Sequence, residues 1–306
     1  MEPDVDYLLR APATVTAPVR LRGGRHVVWI GGEIRIDNTG PRTGAGRRRA
    51  LVISDDDEAS VDGRIVHLEG LRLHGDDLAE GINTAAPTAV VQLQNIRVDR
   101  VAIRGADDRD ATGGYEQGNH ADIVQTWGAQ RELRIDGLSG TTNYQGLFLR
   151  ESQSFVGGPI RLRNVDIEMV ETEGEDGYSY AGARVYVAFP GEVGPQYLDT
   201  GTVWIDHHPA SAFGSEFGSV AYRAGNELVA DPVSGDATFA DVVYPTPRIE
   251  RDDLGEYGTW PGPNDEAESV VLLDWSGRGA ARIYSGQPPE GDYVPADGVG
   301  IGYERP

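Results

Sequence analysis

The chain has 306 residues and a formal charge of −22, and its 27 basic residues are all arginine. Phosphate backbones are bound by concentrated positive charge, so this balance argues against a nucleic-acid partner; with no lysine, any fixed cation must be a guanidinium, whose planar fork suits carboxylates. Cysteine is absent, no apolar run approaches the roughly 18 residues of a membrane span, and the start Met1-Glu2-Pro3-Asp4-Val5-Asp6-Tyr7 has neither the basic nor the apolar region of a signal peptide.

In chain order, residues 1–25 are expected to cap an open solenoid end. A loose strand phrase follows, Ile30-Gly31-Gly32-Glu33-Ile34, and then four stricter copies: Leu68-Glu69-Gly70-Leu71, Leu93-Gln94-Asn95-Ile96, Ile135-Asp136-Gly137-Leu138 and Leu162-Arg163-Asn164-Val165. Each has an aliphatic residue, an outward residue, Gly or Asn, and another aliphatic. Gly and Asn most easily adopt a left-handed backbone, so each copy is expected to turn a corner there. The copies are 25, 42 and 27 residues apart, a period near 25 with loop insertions, which is the signature of a stacked solenoid. The run Asp55-Asp56-Asp57-Glu58 reads as a solvated turn.

A second column shares the period: Gly81-Ile82-Asn83, Asp122-Ile123-Val124-Gln125, Gly146-Leu147-Phe148-Leu149 and Gly182-Ala183-Arg184-Val185, with Ile82 to Ile123 spanning 41 residues and Ile123 to Leu147 spanning 24. Each coil then holds at least two short parallel strands, stacked about 4.8 Å apart. The expected inward stacks are Ile30, Leu68, Leu93, Ile135 and Leu162, and Ile82, Ile123 and Leu147. The fold class is all-β, with the solenoid over 26–230. Residues 231–306, rich in Pro, Gly and acids, read as a C-terminal cap or appended β segment, with strands at Ser269–Leu273 and Ala281–Tyr284.

Over about residues 11–206 this coil pattern resembles the right-handed parallel β-helix, or pectin-lyase-like, superfamily. Val203-Trp204-Ile205-Asp206-His207 is similar to a strand ending seen in pectate lyases. The resemblance implies a right-handed solenoid that binds or processes polysaccharide in an extracellular or particle-borne setting.

The candidate site lies where the longest insertion, residues 104–119, meets the second column, because long loops on a rigid scaffold carry binding and catalytic groups. Alternation with Ile123 inward turns Asp122 and Val124 outward. Aligning coils places Tyr144 above His120, Gly146 above Asp122 and Arg150 above Thr126. His120 or Tyr144 would abstract a proton, Asp122 would orient the histidine, and Arg150 would pair with a uronate carboxylate. Gln125, Trp127, Tyr180, Arg184 and Glu116 would contact substrate. A glycosidase would instead need two carboxyl groups about 5–10 Å apart, from Asp122 with Glu116 or Glu151. Asp107, Asp108 and Asp110 offer hard oxygens for calcium, although no cofactor is required. In the structural alternative, Asp122 and Gln125 satisfy turn backbone and His120 packs beside Trp127. Outward positions of the first column, His67 to Arg163, are expected to form a solvent-facing polar groove. The expected function is polysaccharide processing, by a lyase or glycoside hydrolase; the alternative is a non-catalytic glycan-binding virion or phage-like spike, such assemblies commonly being homotrimers.

Overall fold

The strands of this chain are short, rich in β-branched residues and punctuated by Gly or Asn, and the computed structural model places a left-handed corner at each punctuation mark: Gly31 (φ +65°), Gly70 (+70°), Asn95 (+51°), Gly137 (+79°) and Asn164 (+53°). It describes residues 1–37, 48–55, 60, 62–76, 78–102, 121–144, 146–149, 158, 160–170, 172–173, 179–180, 184–186, 198–200, 202–206, 220–221, 229–230, 237–239 and 281–306. Those residues form an all-β, overwhelmingly parallel sheet that winds as a solenoid with three faces per turn. Among them there is no helix, and so none long and apolar enough to cross a membrane.

The first face stacks β1 (Tyr7–Leu9), β3 (His26–Ile30), β6 (Arg64–Glu69), the middle of β8 (Glu80–Val101) and β9 (Asp122–Thr142), and the start of β11 (Ile160–Met169). Beyond the corner, the second face stacks β4 (Glu33–Arg35), β7 (Arg72–His74), the ends of β8, β9 and β11, then β16 (Thr202–Asp206) and β20 (Ala281–Ser285). The third face stacks β2 (Val19–Arg22), β5 (Arg49–Ser54), the starts of β8 and β9, then β10 (Gly146–Phe148), β14 (Arg184–Tyr186) and β17 (Val220–Ala221). The expected strand at Ser269–Leu273 lies outside the described residues, whereas that at Ala281–Tyr284 is β20.

One apolar core fills the coil, and Leu68, Leu93, Ile135 and Leu162 stack within it. Trp29, not Ile30, heads that stack, opposite Leu68. The first copy matches the others residue for residue from Trp29, with Ile30 opposite Glu69, Glu33 opposite Arg72 and Gly32 in the place of Leu71, so the phrase begins one residue earlier than expected, and a one-residue change of register turns each side chain to the other side. On the third face Val124, not Ile123, stands in register with Ile82 and Leu147, because a β-bulge separates the Gly146 and Leu147 pairings. Such an extra residue lets Ile123 and Val124 both reach the core.

The outer side of the first face is not a solvated groove. Leu8, Val28, Ile30, Ile65 and Val90 form a second apolar cluster there. Beyond them His67, Gln92, Arg134 and Arg161 follow in one register file, all buried. Runs such as Val27-Val28-Trp29-Ile30 and Ala89-Val90-Val91 do not alternate, which is how parallel strands covered on both sides read. Asp55 is likewise no solvated turn residue, since buried Arg64 donates to it through Nε at 2.9 Å.

From β20 the chain turns back as a strap, residues 286–305, crossing the coils along the corner between first and second faces. Gly286 N–H donates to the Ile205 carbonyl (2.8 Å), Tyr293 N–H to Asp166 (2.9 Å), Val294 N–H to Ser139 Oγ (2.8 Å), and Gly300 N–H to the Gly70 carbonyl (2.8 Å). Gly32 N–H closes the series on the Gly300 carbonyl at 2.8 Å. The Tyr303 ring lies over Gly70, where an added Cβ would stand 2.2 Å from a ring carbon. Its hydroxyl donates to Glu69 and accepts from Asn95 Nδ2, both at 3.0 Å.

Two predictions follow from the corner and the strap. Gly70→Ala combines a left-handed backbone, costing about 1–2 kcal/mol, with a clash against Tyr303. It should lower the thermal midpoint and expose the C-terminus to protease, and Tyr303→Ala in the same chain should restore part of the loss. Burial raises the Asp166 carboxyl from 3.8 to about 6, against the pull of Ser139 and the Tyr293 N–H. Its folded value lies above its unfolded one, so its contribution to stability is greatest below pH 4, declines between pH 4 and 6, and is lost above. The span is about 3 kcal/mol at most. Asp166→Asn keeps the oxygen that accepts both bonds and should flatten this decline in denaturant titrations across pH.

Candidate functional site

Of the expected lateral patch, His120 and Arg150 lie outside the described residues, as do Glu116 and the calcium candidates Asp107, Asp108 and Asp110. Gly146 stands opposite Asp122, and Arg184 stands opposite Gly146, so the three share one file of the third face. The register sets Tyr186 opposite Phe148. Trp127 lies in β9, and Tyr180 lies in β13 (Ser179–Tyr180), which pairs antiparallel with β12 (Thr172–Glu173). Tyr144 belongs to the apolar core, at 4% exposure.

Asp122 does not face solvent: it is fully buried, and neither carboxylate oxygen has a hydrogen-bond partner among the described residues. Burial pushes its carboxyl well above the ordinary range, and nearby Glu80 pushes the same way against Arg49. Gln125 is also buried, directly opposite Asn83. This cluster is a chemically loaded interior, not a surface that a polymer can reach as it stands.

The accessible site lies on the second face. Three tripeptides, each just past a corner, build it: Glu33-Ile34-Arg35, Arg72-Leu73-His74 and Arg97-Val98-Asp99. Their middle residues enter the core, so alternation turns the flanking ones outward. The register puts Glu33, Arg72 and Arg97 in one file and Arg35 beside His74. Arg35, Arg72, His74, Arg97 and Asp99, with Gly75, Asp76, Arg100 and the strap residue Ala296, line a cleft of about 450 Å³.

Hydrogen bonds fix most of these groups. His74 Nε2 and Glu33 Oε1 are 2.5 Å apart. Arg72 Nε and Arg97 Nε donate to the two oxygens of Asp99 at 2.9 and 2.6 Å. Arg97 also ties the strap, donating from Nη1 to Asp292 and to the Val294 carbonyl, both at 2.7 Å. Arg35 pairs with Asp37 at 2.8 Å. Arg100 differs. It is an exposed residue at φ +58°, its N–H donates to Thr141 Oγ1 at 2.6 Å, and its guanidinium has no partner among the described residues. Left-handed non-glycine residues persist where the surroundings hold them, and they cluster at functional sites.

In a chain of charge −22, four arginines line one cleft; Arg35, Arg72 and Arg97 are paired with Asp37 or Asp99, and the exposed Arg100 guanidinium is the one placed to meet an anionic group. The Glu33–His74 pair adds a base, because a carboxylate that accepts from Nε2–H leaves the Nδ1 lone pair free. Reading the sequence upstream of each corner missed these residues; the charged-aliphatic-charged triplets downstream were the available signal. Compared with protein-family models, curated proteins and solved structures, the chain matches none.

Proposed function

We propose that the protein binds an acidic polysaccharide along the second face and cleaves it by β-elimination, in keeping with a pectin-lyase-like β-helix. The observation that carries this reading is the cleft in which His74, held by Glu33, stands among Arg35, Arg72, Arg97 and Arg100. Elimination from a uronate requires removal of the proton next to the carboxylate, neutralisation of the charge that builds up on it, and departure of the neighbouring glycosidic oxygen. His74 Nδ1 accepts the proton. The arginines hold and neutralise the carboxylate through charge-assisted hydrogen bonds. The C–O electron pair leaves with the oxygen, which takes a proton from solvent, and a carbon–carbon double bond remains.

Glycoside hydrolysis fits the cleft less well, since it asks for two available carboxyl groups and Asp99 is committed to Arg72 and Arg97. Further along the face, half-buried Trp204 stands opposite Asp166 and offers an apolar face to a sugar ring. It lies four strand steps from Arg72, about 19 Å at about 4.8 Å per strand, and the strap covers Ser139 and Asp166 between them, so it would be a contact separate from the cleft.

The test is incubation with polyuronates and neutral glycans, read both for binding and for unsaturated ends by ultraviolet absorbance. Polyuronate should bind and yield product. His74→Ala should lower turnover at least about 100-fold with little change in affinity. Arg100→Ala should weaken binding about tenfold, the scale of one charged hydrogen bond, and leave the thermal midpoint unchanged. Binding without product would assign the protein to the non-catalytic, particle-borne glycan-binding class, and absence of polyuronate binding would overturn the reading altogether.

A further inference from the structure

On the third face two consecutive coils repeat one arrangement, an acid followed three residues later by an amide: Glu80 with Asn83, and Asp122 with Gln125. Asn83 and Gln125 are direct neighbours in register. All four side chains are at most 3% exposed. Glu80 is fully answered: Arg49 donates to both its oxygens, at 2.6 and 3.1 Å, and Asn83 Nδ2 donates to Oε2 at 2.5 Å. That last bond fixes the amide chemically, because only the NH₂ end can donate to a carboxylate, so the oxygen end of Asn83 is turned away from Glu80.

What remains is a set of bare acceptors. Asp122 Oδ1 and Oδ2, Asn83 Oδ1 and Gln125 Oε1 are all buried and, among the described residues, all without a hydrogen-bond partner. Each such group left unsatisfied bears the full cost of its lost hydration. A single proton on Asp122 supplies one donor and leaves most of the set unanswered. Asn83 stands beside Gln125 in register, and Asp122 precedes Gln125 by the same three residues across which Asn83 reaches Glu80, so one cation placed between the two coils would meet oxygens of all three side chains, and carboxylate and amide oxygens are hard ligands. Charge selects which cation. Among the described residues the charged groups acting on Asp122 are Glu80 and Arg49; these two offset each other, leaving the single negative charge of Asp122. A monovalent ion makes the buried cluster neutral, whereas a divalent ion would bury an uncompensated positive charge, which is strongly unfavourable. Among the described residues no three His, Asp or Glu side chains converge as a metal site, which accords with a set built on one unanswered carboxylate and two amides.

We propose that Asp122, Asn83 and Gln125 form a structural site for a monovalent alkali cation, sodium or potassium, which pins the starts of β8 and β9 to each other. The site is distinct from the cleft on the second face, and its test does not depend on activity. Thermal unfolding is measured in sodium, potassium and choline chloride at equal ionic strength, and with calcium chloride added. The wild-type midpoint should rise with the logarithm of sodium or potassium concentration relative to choline, as expected for a ligand bound by the folded state only. Asp122→Asn, which preserves shape, should remove that dependence. Gln125→Glu adds a second negative charge without removing the Asn83 donor from Glu80 and should move the preference to calcium. Crystals soaked in thallium(I), which substitutes for potassium, should show an anomalous peak beside Asp122. Equal midpoints in sodium, potassium and choline would overturn the proposal, as would an unchanged salt response in Asp122→Asn. Selective stabilisation of the wild type by calcium would overturn the charge assignment.

Discussion

Every coil of this protein depends on a backbone conformation that most residues avoid. The chain leaves the first face through one left-handed residue, Gly70, Asn95, Gly137 or Asn164 in successive turns. A left-handed step reverses side-chain alternation locally, so aliphatic residues on both sides of the corner, such as Leu68 and Leu71, enter the same core. Stacking those corners brings the second-face triplets into register, and that register assembles the cleft. Short parallel strands gain little alone; their stability comes from neighbours above and below, as in any solenoid.

Corners built on Gly and Asn also leave a shallow track along the solenoid, and the C-terminal strap occupies it. Tyr303 fills the space that Gly70 leaves open, while backbone groups at Gly70, Gly32 and Ile205 bond to strap backbone. Contacts within a solenoid join only neighbouring coils, so a segment that touches many coils couples units that would otherwise open separately. Arg97 links this brace to the cleft, since one guanidinium holds both Asp99 and the strap.

The second and third faces divide the chemistry. On the second, charged groups stand at the surface with partners that orient them, and Arg100 is left available to an anion. On the third, acids and amides lie in the interior, where low polarity makes every unanswered oxygen expensive. On the first face apolar side chains cover the outer side at the early coils, and the buried polar file is bonded in part, as in His67 with Gln92 and Glu69 at 3.1 and 3.0 Å, with Gln92 Nε2 and Arg134 Nη1 left without partners among the described residues.

By itself the sequence determined the coil. The spacing of Leu68, Leu93, Ile135 and Leu162 and the Gly or Asn two residues after each specify parallel stacking and the corners, because both follow from local backbone preference and a repeated apolar pattern. The same pattern set Gly146 opposite Asp122. Only the tertiary structure decided which side of a strand is wet. Trp29 took the place expected for Ile30 because Gly32 stands where the other copies have an aliphatic residue, a bulge brought Val124 beside Ile82, and both depend on pairing with strands many residues away. The burial of Asp122 and the exposure of Arg100 belong to the same class. A polar residue's alternation is legible from its neighbours in sequence, but its contact with water depends on what packs over it.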